Sequence, residues 1–316
     1  MHEDTTAFEI GHLVLVHGRE RARDMGPANK RSLVDIAAEV LSDKAQRIGI
    51  SYTGFCLTSL PHKRLPDDEP WVKKGHRVTL LVEPGRLPIR SGKAKLYGVP
   101  YGARARMILL YLQGQAVRTG SREVELGRSM RAWMERMGLA VGGETMRALR
   151  EQAARISACS LKFCWDEERG GEGWNRGAIV ASGLRFNAAE PNGQDRLWED
   201  RVVLDQDFYD ALRQHPIPLR EAAIRELRDR SMSLDLYVWM AYRLHNLAGP
   251  TRISWTAIYG QFGSGYAELR HFRPRFAEAL AAAVAAYPEA KVGVGEDGIT
   301  LHPSRPPVAA LATLRA

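Results

Sequence analysis

A chain of 316 residues is long enough for two domains of ordinary size, each with its own core. Its 45% hydrophobic and 26% charged content fits a globular protein and argues against a disordered or fibrous chain. The net charge of +8 is modest but unevenly spread. Between Pro84 and Arg122 lie Arg86, Arg90, Lys93, Lys95, Arg104, Arg106, Arg118 and Arg122 with no acid. From Leu236 to Phe276, Arg243, Arg252, Arg270, Arg273 and Arg275 face the single acid Glu268. Clustered cations of this kind attract phosphate and make binding salt-dependent.

Taken in chain order, residues 1–29 read as a flexible N-terminal arm in which Met25 is a second candidate start. The apolar run Leu13–Val16 is too short for a membrane span or a secretory signal, so no membrane partner is expected. The pattern predicts a helix over Lys30–Gly49, a proline-bounded loop over Pro61–Pro70 and a strand at Val78–Val82. This stretch reads as a leader to the first of two similar units.

In that first unit Met107–Leu112 is apolar all round, as in a core helix. A short strand follows at Arg122–Leu126, and Ser129 caps a helix with Met130, Trp133, Met134 and Met137 inward. After Gly142-Gly143, Thr145 is positioned to cap a third helix with Met146, Leu149, Ala153 and Ile156 inward. Its other face carries Arg147, Arg150, Gln152 and Arg155. Strands are expected at Leu161–Trp165, Ile179–Phe186 and Leu197–Leu204. The acids Asp166, Glu167, Glu168 and Glu172 cluster at what reads as the tip of the first wing, which phosphate would repel.

Residues 215–232 read as a connector stiffened by Pro216 and Pro218. The same order then recurs: an apolar helix from Leu234, a strand at Arg252–Ser254, and a helix through Trp255, Ile258 and Phe262. A third helix carries Leu269, Phe272, Phe276 and Leu280, and a hairpin joins Lys291–Val294 to Ile299–His302. Each pass is the layout of a helix-turn-helix with a β wing. The expected fold is therefore α+β, two tandem winged-helix domains with small antiparallel wings. One spans 30–214 with its leader, the second 233–307, and a tail covers 308–316.

In a helix-turn-helix the third helix enters the major groove, where an arginine fork matches guanine or a phosphate. The candidate DNA-binding residues are therefore Arg147, Arg150, Gln152 and Arg155 in the first unit. Those of the second are Arg270, His271, Arg273 and Arg275, with Lys291 beside the wing. Pro274 favours a helix that begins near Arg273, which would leave Arg270 and His271 in the turn, against phosphate.

Catalytic chemistry finds no support. There is no Gly-x-x-x-x-Gly-Lys-Ser/Thr loop, and no two histidines are separated by one residue as a nicking enzyme's metal site would need. Tyr242 and Tyr259 read as core aromatics, and Asp195, Glu199 and Asp200 as surface charge. Cys56, Cys159 and Cys164 are too few for a disulfide framework and lack zinc-ligand spacing, which fits reduced packing residues in a cytoplasmic protein. No cofactor, metal or catalytic residue is expected.

Several segments also resemble the plasmid-encoded RepA-type replication initiators. They are Tyr101-Gly102-Ala103-Arg104-Ala105-Arg106, Ala116-Val117-Arg118-Thr119 with Ser121-Arg122, and Gly142-Gly143. In the second unit they are Ser233–Trp239, Arg243-Leu244, Ile253-Ser254-Trp255, Gln261-Phe262-Gly263 and Tyr287-Pro288. The match runs roughly from Arg77 to Pro307. The resemblance implies a non-enzymatic protein that binds repeated duplex sites at a plasmid origin, helps open the neighbouring DNA and recruits the host helicase machinery. It also implies a monomer on the repeats and a homodimer as autorepressor. The alternatives are a winged-helix transcription regulator without initiator activity and a winged-helix protein–protein adaptor.

Overall fold

In the computed structural model, which describes residues 7–88, 92–166, 172–182 and 201–308, the chain begins with helix α1 (Ala7–Met25), broken at Gly18, and α2 (Arg31–Ser42). Strand β1 (Ile48–Tyr52), the short α3 (Thr53–Leu57), β2 (Trp71–Lys74), β3 (Val78–Glu83), β4 (Gly85–Pro88) and β5 (Ala94–Tyr97) follow. Next come α4 (Gly102–Thr119), β6 (Glu123–Glu125), α5 (Met130–Arg136) and α6 (Gly143–Ala158). After them run β7 (Ser160–Asp166), β8 (Glu172–Gly177), β9 (Val180–Ser182), β10 (Arg201–Leu204) and α7 (Gln206–Gln214). The remainder is β11 (Pro216–Arg220), α8 (Glu221–Glu226), α9 (Ser231–Arg243), β12 (Thr251–Ser254), α10 (Trp255–Phe262), α11 (Leu269–Ala285), β13 (Lys291–Val294) and β14 (Gly298–His302). Contacts divide the chain into two units: residues 50–216, and residues 1–49 together with 217–316.

The unit of residues 50–216 is built on α4, α5 and α6. Ile108, Leu112, Trp133, Leu149 and Ile156 are buried at its centre. The Ser129 hydroxyl accepts from the Ala132 amide at 3.2 Å and caps α5, as its sequence position predicts. The third helix starts three residues earlier than the Thr145 cap suggests, with Gly142 at its cap position.

The sheets around these helices differ from the expected order. Strand β6 pairs with β10 through Val124 and Val202, and β10 pairs with β9. The wing of this unit is therefore β9 and β10. The expectation of a wing tipped by Asp166 and Glu172 is corrected by the pairing of β7: it joins β3 along Val78–Glu83 and β8 on its other side, within a four-stranded sheet β2-β3-β7-β8. Residues 71–83 are thus two strands of that sheet and not a mere leader. Alternation picks out β3 and β7 but does not name their partners, because partner choice is a long-range matter; residues 183–186 and 197–200 of the other two expected strands lie outside the described residues. Glu167, Glu168, Asp195, Glu199 and Asp200 lie outside the described residues.

The other unit holds the second three-helix arrangement, α9, α10 and α11, backed by the antiparallel sheet β12-β14-β13. This is the helix–strand–helix–helix–hairpin order of a winged helix. Phe272, Phe276, Leu280, Trp239 and Tyr237 are buried in its core. The Ser254 hydroxyl accepts from the Ala257 amide at 3.3 Å and caps α10. The Trp255 indole nitrogen donates to the Gly295 carbonyl at 3.1 Å, fastening the wing turn to that helix. Pro218, expected in a connector, sits in β11, and α8 follows directly.

Two expectations for this unit are corrected. Residues 7–25 of the stretch read as a flexible arm form α1, packed on α2 and α11, because Ile10, Val14 and Ala22 recur on one buried face; residues 1–6 lie outside the described residues. Arg19 and Arg23 also pair with Asp35 of α2, at 2.9 and 2.8 Å. The helix expected over Lys30–Gly49 ends at Ser42, and Ile48 already opens a strand. Among the described residues no helix is long and apolar enough to cross a membrane. The architecture as a whole is α+β with two winged-helix arrangements.

Candidate nucleic-acid interface

On α6 the outward-facing set is smaller than periodicity suggests. Arg147 is exposed, its Nε donating to the Gly143 carbonyl one turn back at 3.3 Å. Arg150 is half-buried, with its Nε enclosed. Gln152 and Arg155, placed on the outer face by the helical pattern, are 3% and 2% exposed. This corrects the expectation that they read bases. The reason is that the loop before β2 and the segment entering α4 cover that side of the helix.

The Gln152 side-chain oxygen accepts from the Tyr101 amide at 2.9 Å. The Arg155 guanidinium donates to the Val99 carbonyl at 3.2 Å and pairs with Asp67 at 2.8 Å and Glu151 at 3.0 Å. It also lies 5.1 Å from the centre of the Tyr101 ring. Arg64 adds a second cation beside Asp67, at 3.1 Å. Burial pushes the Asp67 carboxyl up, but the hydrogen bond and charge of Arg155, with Arg64, hold it below the ordinary aspartate value. These residues lock α6 against residues 60–70 and 98–101. No spacing rule could have found the network, since Asp67 and Arg155 are 88 positions apart.

A second internal group sits at the start of α4. Arg106, 5% exposed, donates to the carbonyls of Leu60 at 2.7 Å and Pro61 at 3.2 Å. Beside it an edge of His62 reaches solvent. Burial, reinforced by the Arg106 and Lys73 charges, nevertheless holds its imidazole well below the ordinary value. His62 is therefore neutral when folded and regains its ordinary proton affinity when unfolded. The unfolded chain then binds more protons below about pH 6.5, so the contribution is present above that pH and is lost as pH falls. The protection factors of α4 amides, taken against intrinsic exchange at each pH, are expected to fall between pH 7 and pH 5, and His62→Gln to flatten that dependence; an unchanged pH profile in the variant would refute the assignment.

On α11 the outward set matches the sequence expectation more closely. Arg270, His271, Arg273 and Arg275 are all exposed. The helix begins at Leu269, so Arg270 and His271 belong to its first turn and not to the preceding turn. This corrects the boundary expected from Pro274: proline removes one amide near the helix start and leaves the early turns helical. The Arg273 guanidinium lies 5.2 Å from the centre of the Trp255 ring, which orients its planar fork. Arg270 pairs with Glu268 at 2.7 Å and Arg275 with Glu278 at 3.3 Å, both as exposed pairs that a phosphate could displace. Lys291 is exposed at the start of β13, its amide tied to the Ser304 hydroxyl at 3.1 Å. Arg252, exposed on β12, is a further cation of the same unit that stood outside the expected set.

Among the described residues no cluster of three or more histidine, cysteine or acidic side chains could hold a metal ion. The exposed cations on the third helix are Arg147 in one unit and Arg270, Arg273 and Arg275 in the other.

Comparison with solved structures shows a likeness of fold. A crystal structure of a selenomethionine derivative of domains 2 and 3 of RctB is similar with a TM-score of 0.51 over 82% of this chain and 99% of that one, at 12% identity. A second crystal structure of RctB domains 2–3 gives 0.47 over 78% and 93%, also at 12% identity. At that identity the likeness is one of fold. No curated protein matches the chain. The family model described as "Plasmid encoded RepA protein" matches residues 99–257, just over half the chain, from the end of the segment clamped by Arg155 into α10. The chain therefore belongs to the plasmid-encoded RepA family of non-catalytic, DNA-binding replication proteins.

Proposed function

We propose that this plasmid replication protein initiates replication by binding repeated duplex sites at its own origin, with α6 and α11 as reading helices. The observation that carries the reading is the double occurrence of a winged helix with arginines on its third helix: exposed Arg147 with half-buried Arg150, and exposed Arg270, Arg273 and Arg275 with His271. Arg147 and Arg273, at the centres of the two exposed sets, contact base edges; Arg270, His271, Arg275 and Lys291 contact phosphate. Two linked heads on one duplex gain avidity beyond either alone. Bound to its repeats in the cytoplasm, the protein helps open the adjoining duplex and recruits host initiator and helicase proteins. A homodimer represses its own promoter and so bears on plasmid copy number. No cofactor enters this activity.

The test is a binding titration against duplexes carrying origin repeats and scrambled duplexes at two salt concentrations. Wild type is expected to prefer the repeats by about 100-fold or more, a threshold set below the usual ~10³–10⁷ ratio of specific to non-specific binding. The combined Arg147→Ala and Arg273→Ala variant should lose about that factor, since each guanine-reading arginine contributes about 1–3 kcal/mol. Both side chains are exposed, so the melting temperature should not move. Equal, weak binding of wild type to every duplex would sink the initiator reading and favour a protein–protein adaptor.

A further inference from the structure

We propose that the β4–β5 hairpin is a second DNA-contacting element of the 50–216 unit, gripping backbone phosphates beside the groove that α6 enters. The inference rests on the reading of α6 as a groove-binding helix and adds to it a surface outside the helix-turn-helix and its wing.

The hairpin pairs Arg86 with Leu96, Leu87 with Lys95 and Pro88 with Ala94. Arg86, Lys93 and Lys95 are exposed, whereas Leu87, Leu96 and Tyr97 are half-buried. Neither the hairpin nor any residue onward to Arg122 is acidic. Folding alone does not call for this bias. Exposed positions of a two-stranded hairpin accept either sign, and a mixed set would stabilise it through cross-strand pairs. A uniformly cationic hairpin is instead complementary to a polyanion, and the polyanion already assigned to this unit is duplex DNA.

What makes the hairpin part of the same reading head is its root. Both of its ends press on the C-terminal end of α6. A Cβ on Gly85 would lie 1.7 Å from the Ala158 carbonyl oxygen. A Cβ on Gly98 would lie 2.7 Å from the Asp67 Cα and 2.8 Å from the Arg155 guanidinium. The Cys159 thiol donates to the Gly98 carbonyl at 3.4 Å. Burial, opposed by Arg155, pushes that thiol up to about 12, so it keeps its proton at neutral pH. The same Arg155–Asp67 pair that locks α6 therefore also seats the hairpin, and the two elements move as one piece.

The test uses the full chain with Arg86→Ala, Lys93→Ala and Lys95→Ala combined. Binding to a duplex bearing an origin repeat is measured between 50 and 200 mM salt, with a hydroxyl-radical footprint. Three lost phosphate contacts should make the salt slope shallower by about 2.7, shrinking the fall in affinity across that range by about 40-fold. Preference for the repeat over scrambled DNA should persist, and the footprint should recede at one edge only. The charge-conserving variant with Arg86→Lys, Lys93→Arg and Lys95→Arg should keep the wild-type slope. An unchanged slope and footprint in the triple-alanine protein, with wild type still selective, would overturn the hairpin alone. A wild type without selectivity or salt slope would overturn the hairpin and the underlying reading together.

Discussion

Replacing Phe276 by alanine is expected to destabilise the C-terminal winged helix by about 3–5 kcal/mol, the usual cost of deleting a fully buried phenylalanine. Phe276 is completely buried on the inner face of α11. Its ring lies 5.2 Å from that of Phe272, 5.8 Å from Trp255 and 5.9 Å from Phe262, at the point where α10 and α11 meet. Rings from both helices would face the cavity, and aromatic side chains fixed by one another cannot collapse to fill it. Since a domain's whole stability is about 5–15 kcal/mol, this single change removes a large part of it. Denaturant unfolding of the purified chain, with amide exchange in α11, measures the effect; Phe276→Leu, which keeps most of the volume, should cost less. DNA binding by the second head should fall in proportion to the fraction unfolded. A loss under 1 kcal/mol would mean that this aromatic cluster is not the core of the unit.

Arg155→Ala is expected to cost the 50–216 unit about 2–4 kcal/mol. The value lies below the full penalty for orphaning a buried charge, because the remaining partners, Asp67 and Glu151, are both partly hydrated. What is lost is a guanidinium that joins Val99, Asp67 and Glu151 while lying against Tyr101. Lysine should not restore it, since a single ammonium cannot reproduce the fork. Arg147→Ala provides the contrast: it should leave the melting temperature unchanged and weaken repeat binding. If Arg155→Ala instead weakened binding with no loss of stability, Arg155 would be a contact residue and the network described above would not hold α6.

That contrast shows what a helical pattern reveals and what it hides. The inward stripe of α6, Leu149, Ala153 and Ile156, was legible because apolar residues at three- and four-residue spacing have one way to leave water. The polar face was not, since Arg147 and Arg155 are equally suited to solvent, DNA or a buried carboxylate. Only the approach of Asp67 and the Val99 carbonyl, supplied by distant segments, tells them apart. The same holds for α1. Its thin stripe of Ile10, Val14 and Ala22 becomes a helix signal only once α2 and α11 are there to cover it. The acids Asp166 and Glu172 read as part of a wing because strand periodicity says nothing of which strand lies alongside.

Sequence by itself determined the α+β class, the two passes of helix, strand, helix and helix, the second unit's hairpin, and the cap at Ser129. Local chemistry suffices there: side-chain period, turn residues and hydroxyl acceptors act within a few positions of one another. It also determined the cationic character of the hairpin at Arg86–Lys95, since composition needs no fold to be read. Tertiary structure alone decided which cations face outward, which strands form each wing, and that the basic hairpin is rooted on the end of α6. Those outcomes depend on contacts between residues tens of positions apart, whose pairing is set by the packing of the whole unit and not by any short segment of it.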